Sequence, residues 1–202
     1  MKIVVFGSTG GTGQLVLDAA VRRGHEVTAF ARRASVLSAH EGLAGIVEGD
    51  GRDPDAVDGA ITGQEAVIMS VRGKGDSDAA TGIARAVTAA MSSRGVSRLV
   101  ATSAYGLVAT RPYVLASLVR RVFRTTFADQ LNADNLIEAS DLNWTVVRAT
   151  RLTTGPAKRP PRQSTELFIQ GPYSVARIAY AAALLDLAEG DSHSRQVVNI
   201  TG

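Results

Sequence analysis

Cysteine is absent from the 202 residues, which removes disulfides, cysteine-ligated zinc and thiol nucleophiles together. Only three histidines occur, His25, His40 and His193, and no metal-ligand spacing joins them. Lysine is equally scarce, with Lys2, Lys74 and Lys158 the whole set. No apolar run approaches the roughly 20 residues that a bilayer span needs; the longest in the last third, residues 178–185, ends at Asp186. Aromatic residues are 5% of the chain, too sparse for a base-stacking surface, and no helix-turn-helix or ribonucleoprotein signature appears. Neither sign of charge dominates: 22 basic and 19 acidic residues leave +3, a weak long-range field for nucleic acid or lipid despite a pI near 9.6. The opening MKIVVFGSTGG lacks the long apolar region and small-residue cleavage site of a signal peptide, so a cytoplasmic address is expected.

What is present is a globular composition. Apolar residues make up 45% and charged residues 20%, enough to bury one core at this length, so one domain spanning residues 1–202 is expected. Seven short β-branched or apolar runs occur, at 2–6, 26–30, 45–47, 66–71, 98–102, 144–147 and 197–200. Between them lie stretches of helical periodicity, among them 12–23, 78–94 and 173–189. Continuous apolar strands alternating with amphipathic helices predict an α/β fold with a doubly wound parallel sheet, strand order 3-2-1-4-5-6 and a seventh strand. Two stretches break the rhythm: 106–129, rich in arginine, and 153–172, with four of the six prolines. Both read as loops on the substrate side.

The sharpest motif is Gly7-Ser8-Thr9-Gly10-Gly11-Thr12-Gly13, directly after the first strand and opening the first helix. Glycines there let a diphosphate approach backbone amides that the helix leaves unbonded. The second strand predicts Ala31 at the position where NAD-preferring proteins carry an acid, and Arg32 and Arg33 follow. An arginine fork suits a 2′-phosphate, so NADP(H) is the expected cofactor, a solvated charge pair being the alternative. Asp50, in the Gly49–Asp53 turn with Gly51, could accept from an adenine amino group, whereas Asp53 before Pro54 reads as a helix cap. Val71, Arg72, Gly73, Lys74 and Gly75 make a basic crossing at the carboxyl edge of the sheet, where such folds bind ligands.

On these residues the chain resembles the atypical short-chain dehydrogenase/reductases, in the small NAD(P)H-binding branch of flavin/biliverdin-IXβ reductases and NmrA-like redox sensors. The turn at 7–13, Arg32-Arg33, Gly49-Asp50, the runs 99–105, 143–148 and 197–202, and Leu152 carry the likeness. The resemblance implies that Gly7, Thr9, Gly10, Gly11, Thr12 and Gly13 bind the cofactor, Thr9 to Thr12 at its diphosphate, with Arg32 and Arg33 at the 2′-phosphate and Asp50 at the adenine. It implies that Thr102, Ser103, Arg148, Ala149 and Thr150 flank the nicotinamide, with Tyr105 and Arg151 toward substrate, and that the protein is a monomer, a dimer being the alternative. Ala149 stands where relatives often have proline, and Arg151 where the biliverdin reductase has histidine.

The usual carbonyl-reducing pair, tyrosine with lysine four residues later, is missing: Ala109, Ser117, Arg177 and Leu184 follow the four tyrosines at that distance. No glycine-flanked serine of a hydrolase elbow occurs either. A conjugated acceptor, such as a flavin, quinone or bilin, needs positioning more than a strong acid, and Ser103 is the best-placed polar side chain for that. The expected activity is therefore NADPH-dependent reduction of such a small molecule, with a non-catalytic NADP(H) sensor acting through a protein partner as the alternative. Nine basic residues from Arg111 to Arg162 against four acids would attract an anionic acceptor, or form solvated helix faces.

Overall fold

The computed structural model describes residues 1–38, 40–72, 78–109, 121, 124–169 and 171–202. The expectations that fall on Gly73, Lys74, Gly75, Arg111 and Arg120 therefore lie outside the described residues.

An eight-stranded sheet is built from β1 (Lys2–Phe6), β2 (Glu26–Ala31), β3 (Gly45–Glu48), β4 (Ala66–Met69), β5 (Arg98–Ala104), β6 (Asn143–Ala149), β8 (Arg162–Ser164) and β10 (Gln196–Thr201). Its order is β3-β2-β1-β4-β5-β6-β10-β8. All neighbours are parallel except β10 and β8. The expected order is thus borne out, with β10 as the seventh strand. A second ribbon pairs β7 (Arg151–Thr153) with β9 (Ser174–Ala176).

Alternation along buried strands divides the core in two. Ile3 and Val5 of β1 face α1 (Gly11–Arg22) and α5 (Arg177–Glu189), joining Val16, Leu17, Tyr180 and Leu184 in one cluster. Val4 and Phe6 face α2 (Pro54–Ile61), α3 (Ala79–Arg94) and α4 (Arg124–Glu138), with Val57, Val87, Met91 and Ile137. No helix among the described residues is long and apolar enough to cross a membrane.

Two buried charges tie elements together. Arg98, at the amino end of β5, donates to the Leu187 carbonyl in the last turn of α5, to the Asn143 carbonyl and to the Thr145 hydroxyl of β6. Asp129 of α4 accepts from the backbone amides of Ala80 and Thr81 at 2.9 and 3.0 Å, capping α3 from a neighbouring helix.

Three expectations change. The stretch 106–129 is not loop throughout, since Arg124 to Asp129 are the first turns of α4. Residues 153–172 contain strand β8, whose partner β10 supplies the pairing that composition could not announce. The last helix starts at Arg177 rather than 173, because Ser174–Ala176 pairs with β7.

Candidate functional site

The carboxyl ends of β1, β4, β5 and β6 lie along one edge, and the strand order changes direction between β1 and β4. At that point Gly7 has φ +78°, and a Cβ on it would lie 2.1 Å from the Ser70 carbonyl oxygen that follows β4. A Cβ on Gly13 would lie 2.2 Å from the Gly7 carbonyl. Only glycine permits these contacts, so the turns after β1 and β4 touch at the crevice floor. Ser8, fully buried, donates to the Phe30 carbonyl at 2.6 Å and fixes the turn to the end of β2.

Helix α1 begins without the usual provision for its amides. Gly10 caps it with no side-chain bond and no acid stands in the first turn. By contrast, Asp53 caps α2 through the Asp55 amide, as expected from Asp53-Pro54, and Asp129 caps α3. Thr9, Gly10 and Gly11 are exposed at that end. The Arg177 guanidinium of α5 lies across it: a Cβ on Gly11 would be 2.5 Å from Nη1. Arg177 Nε is buried without a hydrogen-bond partner, and among the described residues no carboxylate pairs with this side chain. A cation beside the positive end of a helix is unfavourable unless an anion lies between them, so these residues fit a dinucleotide diphosphate.

Beyond the end of β2, Arg32 and Arg33 are exposed, and the Glu48 carboxylate accepts from the next amide, Ala34, at 2.6 Å. Asp50 is engaged within its own turn by the Arg52 side chain and amide, which hold its carboxyl below the ordinary aspartate range; Arg32 adds a weaker pull. Arg32 and Asp50 therefore share one neighbourhood at the β2–β3 end. Gly51 is buried against Ile83, Val71 is half-buried and Arg72 is exposed.

On the β5–β6 side the structure collects residues that sequence spacing did not connect. Ser103, 9% exposed, donates to fully buried Asp134 of α4 at 2.6 Å. Gln130 donates to Asp134 at 3.1 Å and to the Thr102 carbonyl at 3.2 Å. Arg148 lies 3.8 Å from Asp134 and 3.9 Å from Glu138. Burial pushes the Asp134 carboxyl up to about 6, against the opposing bonds from Ser103 and Gln130 and the charge of Arg148. Behind them Tyr180 donates to the Val147 carbonyl at 2.8 Å, and burial raises its phenol well above the usual range.

Several expectations are redrawn here. Arg148 points into the α4 acids, so it does not belong to an exposed basic patch with Lys158 and Arg159. Ala149 is buried, and Thr150 is tied by its amide to the Ile200 carbonyl of β10. Arg151 is exposed. The buried Tyr105 hydroxyl accepts from the Ile169 amide, joining the turn after β5 to the 153–172 segment. Asp134 was legible only as one of four acids, although Gln130, Asp134 and Glu138 recur every four residues and so share a helical face.

A family model described as NAD(P)H-binding matches residues 7–191. The fold is similar to a short-chain dehydrogenase/reductase from Veillonella parvula DSM 2008 in complex with NADP, with TM-score 0.85 and 20% identity over 100% of this chain and 94% of that one. It is similar to ChuY, an anaerobillin reductase from Escherichia coli O157:H7, with TM-score 0.85 and 21% identity over 100% of this chain and 97% of the other. The oxidoreductase ylbE from Lactococcus lactis gives 0.83 and 19% over 100% and 91%. The resemblance read from the glycine turn is thereby borne out, and the chain belongs to the NAD(P)H-binding family.

Proposed function

We propose that this chain is an NADPH-dependent reductase of a flavin, quinone or similar conjugated small molecule. The observation that carries the reading is the uncapped amino end of α1 at the crevice, with Arg177 laid across it. Bound there, the dinucleotide would supply hydride. In this reading the amides of Thr9 to Gly13 hold the diphosphate with Arg177, Arg32 and Arg33 hold the 2′-phosphate, and Asp50 faces the adenine. Val71, Arg72, Thr102, Ser103, Ala149 and Thr150 bound the nicotinamide end.

A flat acceptor is supported by the segment beyond. Phe168 and Tyr173 are 57% and 52% exposed on either side of Ile169, whose amide is bonded to Tyr105. Flat apolar side chains there can hold a ring against the nicotinamide at about 3.5 Å, the separation that makes transfer effectively unimolecular. Arg151 is near enough in sequence to add charge for an anionic substituent. We take residues 1–202 as one domain acting as a cytoplasmic monomer, with 106–129 and 153–172 on the acceptor side.

The test is loss of reduced-nicotinamide absorbance when the protein is mixed with NADPH and FMN, a soluble quinone or a bilin. Acceleration over buffer with at least one acceptor is expected. Tight NADPH binding with no acceleration across the panel, and unequal affinity for NADPH and NADP⁺, would instead favour a sensor.

A further inference from the structure

Ser103 lies at the nicotinamide end in the reading above, whereas Asp134, the acid it is bonded to, has no part in holding a dinucleotide. Asp134 is fully buried, and its helical neighbours Ala133 and Ile137 belong to the apolar core, so its charged form is costly there. A purely structural acid in this position would be expected to meet Arg148 at hydrogen-bond distance. Instead the closest approach of the guanidinium is 3.8 Å, and Arg148 Nε is buried with no hydrogen-bond partner. The 2.6 Å contact goes to the Ser103 hydroxyl, at the sheet edge where β5 meets the crevice.

The groups facing Asp134 come from four directions. Ser103 stands on β5, Arg148 on β6, Gln130 one turn before on α4, and Glu138 one turn after, half-exposed and 3.9 Å from Arg148. Tyr180 of α5 is a further titratable group within reach of the Asp134 charge. Tyr180 is no rival proton source, because its hydroxyl hydrogen is committed to the Val147 carbonyl inside the core.

We propose that Asp134 is a proton reserve acting through Ser103, which delivers a proton to the acceptor as that acceptor is reduced. This rests on the reductase reading above. The hydride and its electron pair go to an electrophilic carbon of the acceptor or, in a flavin, to its electrophilic ring nitrogen. The conjugated oxygen or nitrogen that gains negative charge then takes the Ser103 proton, and Ser103 takes one from Asp134. The resulting carboxylate is held by Gln130 and Arg148 until solvent returns a proton. The sum is one hydride and one proton per acceptor, with the reduced dinucleotide as the only reductant. Asp134 is thus a positioning and proton-storing residue, and Ser103 the group that touches substrate. The class of acceptor favoured is one whose reduced form needs a proton at a defined atom.

The first measurement needs no cofactor: carbon-13 carboxyl NMR of the free protein, with Asp134→Asn giving the assignment. Asp134 is expected to titrate near 6, and Ser103→Ala to move that midpoint upward by removing a bond to the charged form. A midpoint in the ordinary aspartate range, or one indifferent to Ser103→Ala, overturns the proposal. The second is turnover of NADPH with FMN or a soluble quinone against pH. For the wild type kcat should fall as pH rises through the Asp134 midpoint. Asp134→Asn and Ser103→Ala should each lose roughly 100-fold with a flat profile, and the double variant no more than either alone. Asp134→Glu should restore a pH-dependent profile. An unchanged profile in Asp134→Asn also overturns the proposal. NADPH binding by calorimetry separates the failures: Asp134→Asn and Asp134→Glu should bind as the wild type does, and a wild type that binds no NADPH removes the reductase reading itself.

Discussion

Two phosphate groups of one dinucleotide should be held by different arginines, and their variants are separable. Arg32→Ala with Arg33→Ala should weaken NADPH by about 2–4 kcal/mol and leave NADH nearly untouched, since only the 2′-phosphate is lost. Arg177→Ala should weaken NADPH and NADH alike, by about 1–3 kcal/mol, because the diphosphate is common to both. Calorimetric titration of the two cofactors into each variant reads the difference. Asp134 makes a stability prediction of opposite character. Its folded-state carboxyl is raised to about 6, so the folded chain keeps a proton that the unfolded chain releases near 4. Stability contributed by this group is full below that unfolded value and is lost as pH rises toward 6. Wild type minus Asp134→Asn in urea midpoint free energy should therefore fall by on the order of 3 kcal/mol between pH 4 and pH 7. At this scale the glycine turn was legible because its chemistry is local. Asp134 was not, because its meaning depends on which face of α4 meets a serine 31 positions earlier. Arg177 was not, because it meets Gly11 across the α1–α5 packing rather than along the chain.

Elements followed the sequence where burial was two-sided. β1 coincides with the apolar run 2–6, and β2, β5 and β6 extend the expected runs only at their ends. β4 stops at Met69, short of the run's end at 71, where the chain leaves β1 to form the crevice wall. The three-residue strands β7, β8 and β9 were not legible, since a run that short carries no measurable period and each depends on a partner far along the chain. Arg98 and Asp129 show the same limit: a charge in an apolar or helical context becomes intelligible only through the helix end it serves. Asp129→Ala removes the cap on two α3 amides and leaves them buried, and should cost about 2–3 kcal/mol in chemical denaturation. Since Asp129 is 1% exposed and lies outside the crevice contacts, the affinity of the folded variant for NADPH should be retained.

For the whole molecule, the doubly wound sheet brings the carboxyl ends of its seven parallel strands to one edge and places Gly7 and Gly13 where the turns after β1 and β4 collide. Among the described basic residues of 111–162, Arg148 turns inward to the α4 acids rather than joining an exposed basic face. What marks the crevice is the amino end of α1, which has no side-chain cap and no acid in its first turn, with a guanidinium beside it. Supplying the missing carboxylate tests this most directly. Gly10 sits in extended backbone at φ −77° and ψ 155°, which any residue adopts, so Gly10→Asp can cap α1 as aspartate commonly does, with a slight shift to ease a 3.3 Å approach to the Gly7 carbonyl. Calorimetric titration of NADPH should give saturable binding to the wild type and, for a Gly10→Asp variant of undiminished thermal stability, affinity lower by about 100-fold or more. Equal affinity in the two proteins would contradict the account.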